Sequence, residues 1–308
     1  MPEAAGTLAA PASPGSGGRL PDPSAPLSPA WRRLPAALAA LAFVILFADP
    51  ARTLARDLWT NPDAGHGLLL LPLAGFLAWK RGMAPRAAPQ PGLGLFLLAG
   101  AVALRYVGGL AAELFTMRLS MLAAAVALVV FYAGVRQVLH WWLPVALVLL
   151  SIPLPVVVLG SLALPLQLQA SRIGATLLEM RQIPVRLDGN VIQLPGRTLF
   201  VTEACSGLRS LSALLALGVL IGGMWLRHPV TRVILLALAL PVAVVLNGVR
   251  VFLTGFLVHF VDPSLGDGFM HVTEGWLIFA VAFAILGAIS WVLLQAEGGV
   301  RHWRGRPT

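Results

Sequence analysis

Apolar runs close to the ~20 residues needed to cross bilayer hydrocarbon recur from about residue 34 to residue 294, and that recurrence leaves one class of fold open. A soluble core could not hide a 308-residue chain that is 58% hydrophobic and 11% charged. Within hydrocarbon each backbone N–H and C=O needs a partner inside the protein, which favours helices. The chain therefore reads as an all-α polytopic membrane protein with about eight transmembrane helices. They lie at approximately 34–48, 66–80, 93–111, 115–134, 138–156, 207–226, 231–250 and 272–294.

Orientation follows from the charges. The net charge of +9 comes almost wholly from arginine, with Lys80 the only lysine. With both termini cytoplasmic, the inside segments hold Arg32 and Arg33, then Lys80, Arg81 and Arg86, then Arg136, then Arg227 and Arg232, and finally Arg301, Arg304 and Arg306. Most carboxylates, among them Asp49, Asp57, Glu113, Glu203 and Glu274, fall on the other face. The loop from about 157 to 206 dissents, with Arg172, Arg181, Arg186 and Arg197 on the proposed outside. Basic residues scattered between spans make no continuous stripe, which argues against nucleic acid as a partner and leaves membrane lipid as the surface they meet.

Residues 1–30, rich in Pro, Ala, Gly and Ser, read as a disordered cytoplasmic leader. They are not a cleavable signal, because the apolar run begins only after Arg32 and Arg33. Residues 31–296 form the transmembrane domain and 297–308 a basic cytoplasmic tail. Between spans five and six, Leu162, Leu164, Leu166, Leu168, Ile173, Leu177 and Leu178 mix with Gln167, Gln169, Ser171 and Arg172, the pattern of an extracytoplasmic amphipathic helix at the interface. Two short alternating runs around Asp188-Gly189-Asn190 then give a hairpin signal.

The hairpin leads into Thr202-Glu203-Ala204-Cys205-Ser206-Gly207-Leu208-Arg209-Ser210, which holds the only cysteine. No internal disulfide is possible. The eight-span map puts Cys205 at the outer start of span six, Arg250 at the outer end of span seven and His271 at the outer start of span eight. A thiol, a fixed cation and an imidazole in one layer suit cysteine-nucleophile acyl chemistry. The helix start and Arg209, one turn on, favour the thiolate of Cys205. His271 is the candidate general base and later acid, oriented by Glu274 as in a triad. Arg250 suits an oxyanion or a substrate carboxylate, and Asn247, one turn away, can share that work. Plainer readings stand beside these: Cys205 as a small apolar side chain, Arg250 as a snorkelling one, Arg105 and Arg118 as snorkelling or substrate-facing. The dispersed histidines offer no metal-ligand spacing, and nothing calls for a cofactor.

Glu203-Ala204-Cys205-Ser206-Gly207-Leu208-Arg209-Ser210, Asn247-Gly248-Val249-Arg250-Val251, and His271 with Glu274-Gly275-Trp276 resemble the three signature blocks of the exosortase/archaeosortase family in order and spacing. Trp59, His66-Gly67, Pro72 and Pro153-Leu154-Pro155 resemble its N-terminal half, so the likeness covers nearly everything after the leader. It implies that Cys205, Arg250 and His271 are the catalytic set. Arg209 matches bacterial members, which implies a bacterial inner membrane and a site on the periplasmic face. The implied activity is that of a membrane cysteine protease or transpeptidase. Its partners would be exported proteins with a C-terminal Pro-Glu-Pro-type motif, a helix and a basic tail, passed through a thioester to an envelope or exopolysaccharide-linked acceptor. The alternative class is a polytopic transporter or exopolysaccharide-assembly component without peptidase chemistry, with intramembrane arginines lining a pathway. Other intramembrane proteases lack their residues here, since the chain has no Gly-x-Ser-Gly nucleophile block and no His-Glu-x-x-His zinc helix.

Overall fold

A computed structural model describes residues 29–61, 64–201, 208–261 and 268–304, without side chains at 29–36, 156, 197, 208–210, 268–275 and 299–304. Among the described residues, ten helices and three strands follow in chain order. They are α1 Pro29–Thr60, α2 Gly67–Arg81, α3 Pro91–Leu110, α4 Leu114–Ala133, α5 Val135–His140, α6 Trp142–Leu150 and α7 Val156–Glu179. The strands β1 Arg186–Asp188, β2 Val191–Leu194 and β3 Arg197–Phe200 come next, then α8 Leu208–Trp225, α9 Pro229–Phe260 and α10 Gly268–Arg304. The first unit, Met1–Leu46, contributes the opening turns of α1, and Phe47–Thr308 forms the second. The expected leader lies outside the described residues up to position 28.

Five helical stretches are long and apolar enough to span a membrane: Ala37–Thr60, Pro91–Leu110, Leu114–Ala133, Pro229–Phe260 and Trp276–Gly298. The chain is thus a multi-pass helical membrane protein. The other three expected spans take shorter forms. Leu211–Trp225 is a short apolar helix. The segment expected at 66–80 is the 15-residue α2. The one expected at 138–156 breaks at Trp141 into α5 and α6 and ends at Leu150, where the closely spaced Pro153 and Pro155 disfavour helical backbone at the residues before them.

α3 and α4 form a hairpin whose contact has a seven-residue period. Gly94, Ala101 and Gly108 are all buried on α3, facing the α4 stripe of Met117, Ala124 and Phe131. A Cβ at Gly94 would lie 2.5 Å from the Phe131 Cα, so the two backbones nearly touch there. Glu113 caps α4, its carboxylate accepting from Phe115 N at 3.0 Å and Thr116 N at 2.6 Å. One turn on, the buried Arg118 pairs with Asp57 of α1 at 2.6 Å. Arg118 is therefore committed to a neighbouring helix and does not snorkel.

On the side assigned to the cytoplasm, buried Gln137 fastens the α2–α3 connection by accepting from Ala84 N at 2.7 Å and donating to Gly82 O at 3.2 Å. Trp79 and Trp225 are exposed near this end, Trp59 and Trp276 near the other, as two aromatic belts would be.

α7 is helical as the sequence implies, but its inward face is the small and polar one. Ala163, Gln167, Ala170, Ser171, Gly174, Ala175 and Leu178 are buried, while Leu162 and Leu164 face outward. Small residues let α7 approach α9 closely. A Cβ at Gly174 would meet Val251 Cγ1 at 2.5 Å, and one at Gly248 would meet Ile173 Cβ at 2.5 Å. This crossing, with the expected hairpin, builds one core: Ala170, Ala175, Leu178, Ile183, Ile192, Leu194, Val201 and Val251, flanked by Leu199, Phe252 and Phe256.

The hairpin grows into a three-stranded antiparallel sheet in the order β1-β2-β3. Gly189, at φ +61°, opens the two-residue β1–β2 loop between paired Asp188 and Val191, and Pro195-Gly196 turns β2 into β3, paired at Leu194 and Arg197. The second turn is written in the sequence as plainly as the first.

Candidate active site

Two fixed points bracket the cysteine segment. Upstream, buried Val201 has both backbone groups held by Asn190, its N–H donating to Asn190 O and its carbonyl accepting from Asn190 Nδ2, each at 3.0 Å. The residue that completes the β1–β2 turn thus also anchors the strand that leaves the sheet. Downstream, Leu208 begins α8. Cys205 itself lies outside the described residues, between these anchors.

The helices after it pack as a three-helix group, α8 against α9, α9 against α10 and α10 against α8. Their shared core holds Leu214, Ile221, Leu226, Leu235, Ala239, Ala243, Ala282 and Leu286. A common base sets their register. Glu297 of α10, 4% exposed, reaches the α8–α9 turn and accepts from Arg227 N at 3.0 Å, from His228 N at 3.0 Å and from the Thr231 hydroxyl. A carboxylate at the first turn of α9 satisfies donors that have no intrahelical partner and meets the positive end of the helix dipole.

From that base, heights follow from the ~1.5 Å rise per residue. Asn247, 18 residues beyond Pro229, stands about 27 Å up, and so does Phe279, 18 residues before Glu297. The two do line one cavity, which supports the shared register. That cavity, about 10 Å³, is narrow and lies between the three helices, bounded by Leu214 of α8, by Ala243, Leu246, Asn247 and Arg250 of α9, and by Ile278, Phe279 and Ala282 of α10. Arg250 stands about 31 Å up, a height comparable to the ~30 Å thickness of bilayer hydrocarbon. The backbone of Leu208, 17 residues before Trp225, is about 25 Å up, and those of Glu274 and His271 about 34 and 39 Å.

α9 does not end at Arg250. It runs ten residues further to Phe260, because Val251, Thr254, Gly255 and Val258 stay buried where α7 packs against the helix. Apolar length alone placed the end of span seven at Arg250 and missed the helix end. Asn247 is 5% exposed and points into the three-helix cavity beside Arg250. Both expected α9 residues are therefore brought to one place. Arg209, His271 and Glu274 lie on the first turns of α8 and α10, and their side chains are outside the described set. Among the described residues no cluster of three or more His, Cys, Asp or Glu side chains could hold a metal ion.

Sequence reasoning missed the residues that position these helices: Gly248, Gly174, Asn190 and Glu297. Gly248 sits inside the Asn247–Val251 block, and its role is backbone proximity, which a chain read span by span does not show.

The family model for transmembrane exosortases matches residues 58–288, three quarters of the chain, a range that includes the Cys205 segment, Asn247, Arg250, His271 and Glu274 but not Glu297. No curated protein and no solved structure matches it.

Proposed function

Since the chain belongs to the transmembrane exosortase family, whose members are peptidase-like membrane enzymes, we propose that it is a cysteine-dependent membrane protease or transpeptidase acting on the C-terminal sorting signal of exported proteins. The observation that carries this reading is the mutual packing of α8, α9 and α10, because Arg250 lies on α9, His271 in the opening turn of α10, and Cys205 stands three residues before α8 begins.

In this reading the Cys205 thiol loses its proton to His271, and the thiolate attacks the scissile carbonyl. The Arg250 guanidinium, with Asn247 beside it, balances the oxyanion of the tetrahedral intermediate. Collapse breaks the C–N bond, the proton on His271 passes to the leaving amine, and a thioester remains on Cys205. An incoming hydroxyl, amine or water then releases the acyl group, transferring the protein to an envelope or exopolysaccharide-linked acceptor. Arg209 favours the thiolate and Glu274 orients His271. The substrate would be a tail-anchored protein of the Pro-Glu-Pro type, with its basic end on the cytoplasmic side of a bacterial inner membrane and the site on the periplasmic face. Both termini of the enzyme would then be cytoplasmic.

The test is co-expression of the wild type or Cys205→Ala with a reporter bearing such an anchor, following reporter size and release from the membrane. Processing that vanishes in Cys205→Ala, with membrane insertion unchanged, supports the reading. Processing that persists in the mutant overturns it.

A further inference from the structure

A second feature lies at the opposite end of the molecule. Two arginines converge on one indole: the Arg232 guanidinium carbon is 4.7 Å and the Arg81 carbon 6.0 Å from the Trp142 ring centroid. Chain order keeps these cations 151 residues apart, so the fold brings them together. Both donate to carbonyls, Arg81 to His140 O at 3.1 Å and Arg232 to Leu226 O at 2.8 and 3.1 Å. Among the described residues, neither has a carboxylate within ion-pairing distance. Glu297, the acid at this turn, is occupied by Arg227 N, His228 N and Thr231. The result is two like charges held on an aromatic face without a counter-ion among the described residues.

An apolar groove of about 180 Å³ opens between α2, α4 and the α5–α6 segment, with no ionisable side chain in its wall. Ala74 and Ala78 of α2 line it, and Arg81 falls next on the same helical stripe, spaced at four and then three residues. Trp141 lines it too, and its indole N–H donates to the carbonyl of Gly82, the residue after Arg81, at 3.0 Å. The α2 stripe of the groove therefore leads toward Arg81, which lies one turn beyond the lining residue Ala78. A transmembrane helix with a basic tail would meet repulsion at that end, whereas an amphiphile with an acidic head and an apolar chain matches both parts.

We propose that the α2/α4/α6 groove with Arg81, Arg232 and Trp142 is a binding site for one anionic phospholipid, its phosphate between the guanidiniums and an acyl chain along Ala74 and Ala78. The site is independent of the cysteine chemistry proposed above.

The experiment uses full-length protein in a neutral detergent. Native mass spectrometry counts retained lipid when equal amounts of phosphatidylglycerol and phosphatidylcholine are offered. The expected result is one tightly held phosphatidylglycerol with roughly thirtyfold preference, the share of two basic side chains at an anionic headgroup. The double variant R81Q/R232Q is expected to lose the preference and R81K/R232K to keep most of it, which separates charge from folding. Ala78→Phe, which fills the groove and leaves both arginines, is expected to release the lipid. Glycerol 3-phosphate is expected not to displace it. Equal retention of the two lipids by wild type, an unchanged preference in R81Q/R232Q, full retention in Ala78→Phe, or displacement by glycerol 3-phosphate would each overturn the proposal.

Discussion

Replacing Gly248 by alanine tests whether the crossing of α7 and α9 sets the position of Arg250. An alanine Cβ at 248 would lie 2.4 Å from Ile173 Cγ2 and 2.5 Å from Ile173 Cβ. Carbon atoms rest about 3.5–4.0 Å apart, so the overlap is about 1 Å or more. Because the Ile173 Cβ is fixed to its backbone, no rotamer change relieves it, and the helices must separate. Overpacking of this kind costs about 1–3 kcal/mol, equivalent to a fall in melting temperature of about 2–12 °C for a domain this size. Arg250 lies two residues on, and a misplacement of about 1 Å at a catalytic group costs on the order of 100-fold in rate. Thermal unfolding in detergent reads the first effect and reporter processing the second. The double variant Gly248→Ala/Ile173→Ala removes the clashing side chain, and its coupling energy should favour the pair by about 0.5–3 kcal/mol. A single Gly248→Ala variant with unchanged melting and processing, or a double variant no better than the sum of the singles, would refute the argument.

Glu297→Leu should cost about 1–3 kcal/mol by stranding the Arg227 and His228 amides, and should melt below Glu297→Gln, which keeps one acceptor. Asp57→Ala leaves the buried Arg118 guanidinium unpaired and is expected to lose up to about 3–5 kcal/mol, while Asp57→Leu with Arg118→Met should recover most of it, as thermal melts of the three proteins would reveal. Desolvation raises the Glu113 carboxyl pKa, but hydrogen bonds from Thr116 and Phe115 and the nearby Arg118 outweigh it, so the group titrates below its ordinary value. A carboxylate depressed in the folded state stabilises above its unfolded pKa and loses that contribution as pH falls through the folded one. Melting of wild type against Glu113→Gln should therefore differ by a constant amount above about pH 4.5 and converge below it.

The helical class, the α7 segment and the first hairpin were legible because each rests on local pattern: apolar runs, mixed amphipathic spacing, an Asp-Gly-Asn turn. That Asn247 and Arg250 share one face of α9 was legible from their spacing of three residues. What escaped was contact between distant segments. Span five was read through Trp141 to position 156 because hydropathy averages over Pro153 and Pro155. The α7 segment was read as an amphipathic helix at the interface, without a reading of which face would pack against the protein. In the structure Leu162 and Leu164 turn outward, while Ala170, Ser171, Gly174 and Leu178 turn in. Gly94, Ala101 and Gly108 did carry a readable seven-residue period. Glu297 did not, because a single acid near a basic tail carries no pattern.

The sheet and α7 precede α8 in the chain yet lean on the later helix α9, through Val251 at the Gly174 crossing. The ribosome therefore delivers the cysteine segment before the surface on which its upstream anchor rests. An emerging chain halted before α9 would carry the thiol without the arginine or the imidazole that would activate it. Long-range partners close last. Under the proposed chemistry, only a chain synthesised through α10 would hold all three members of the set.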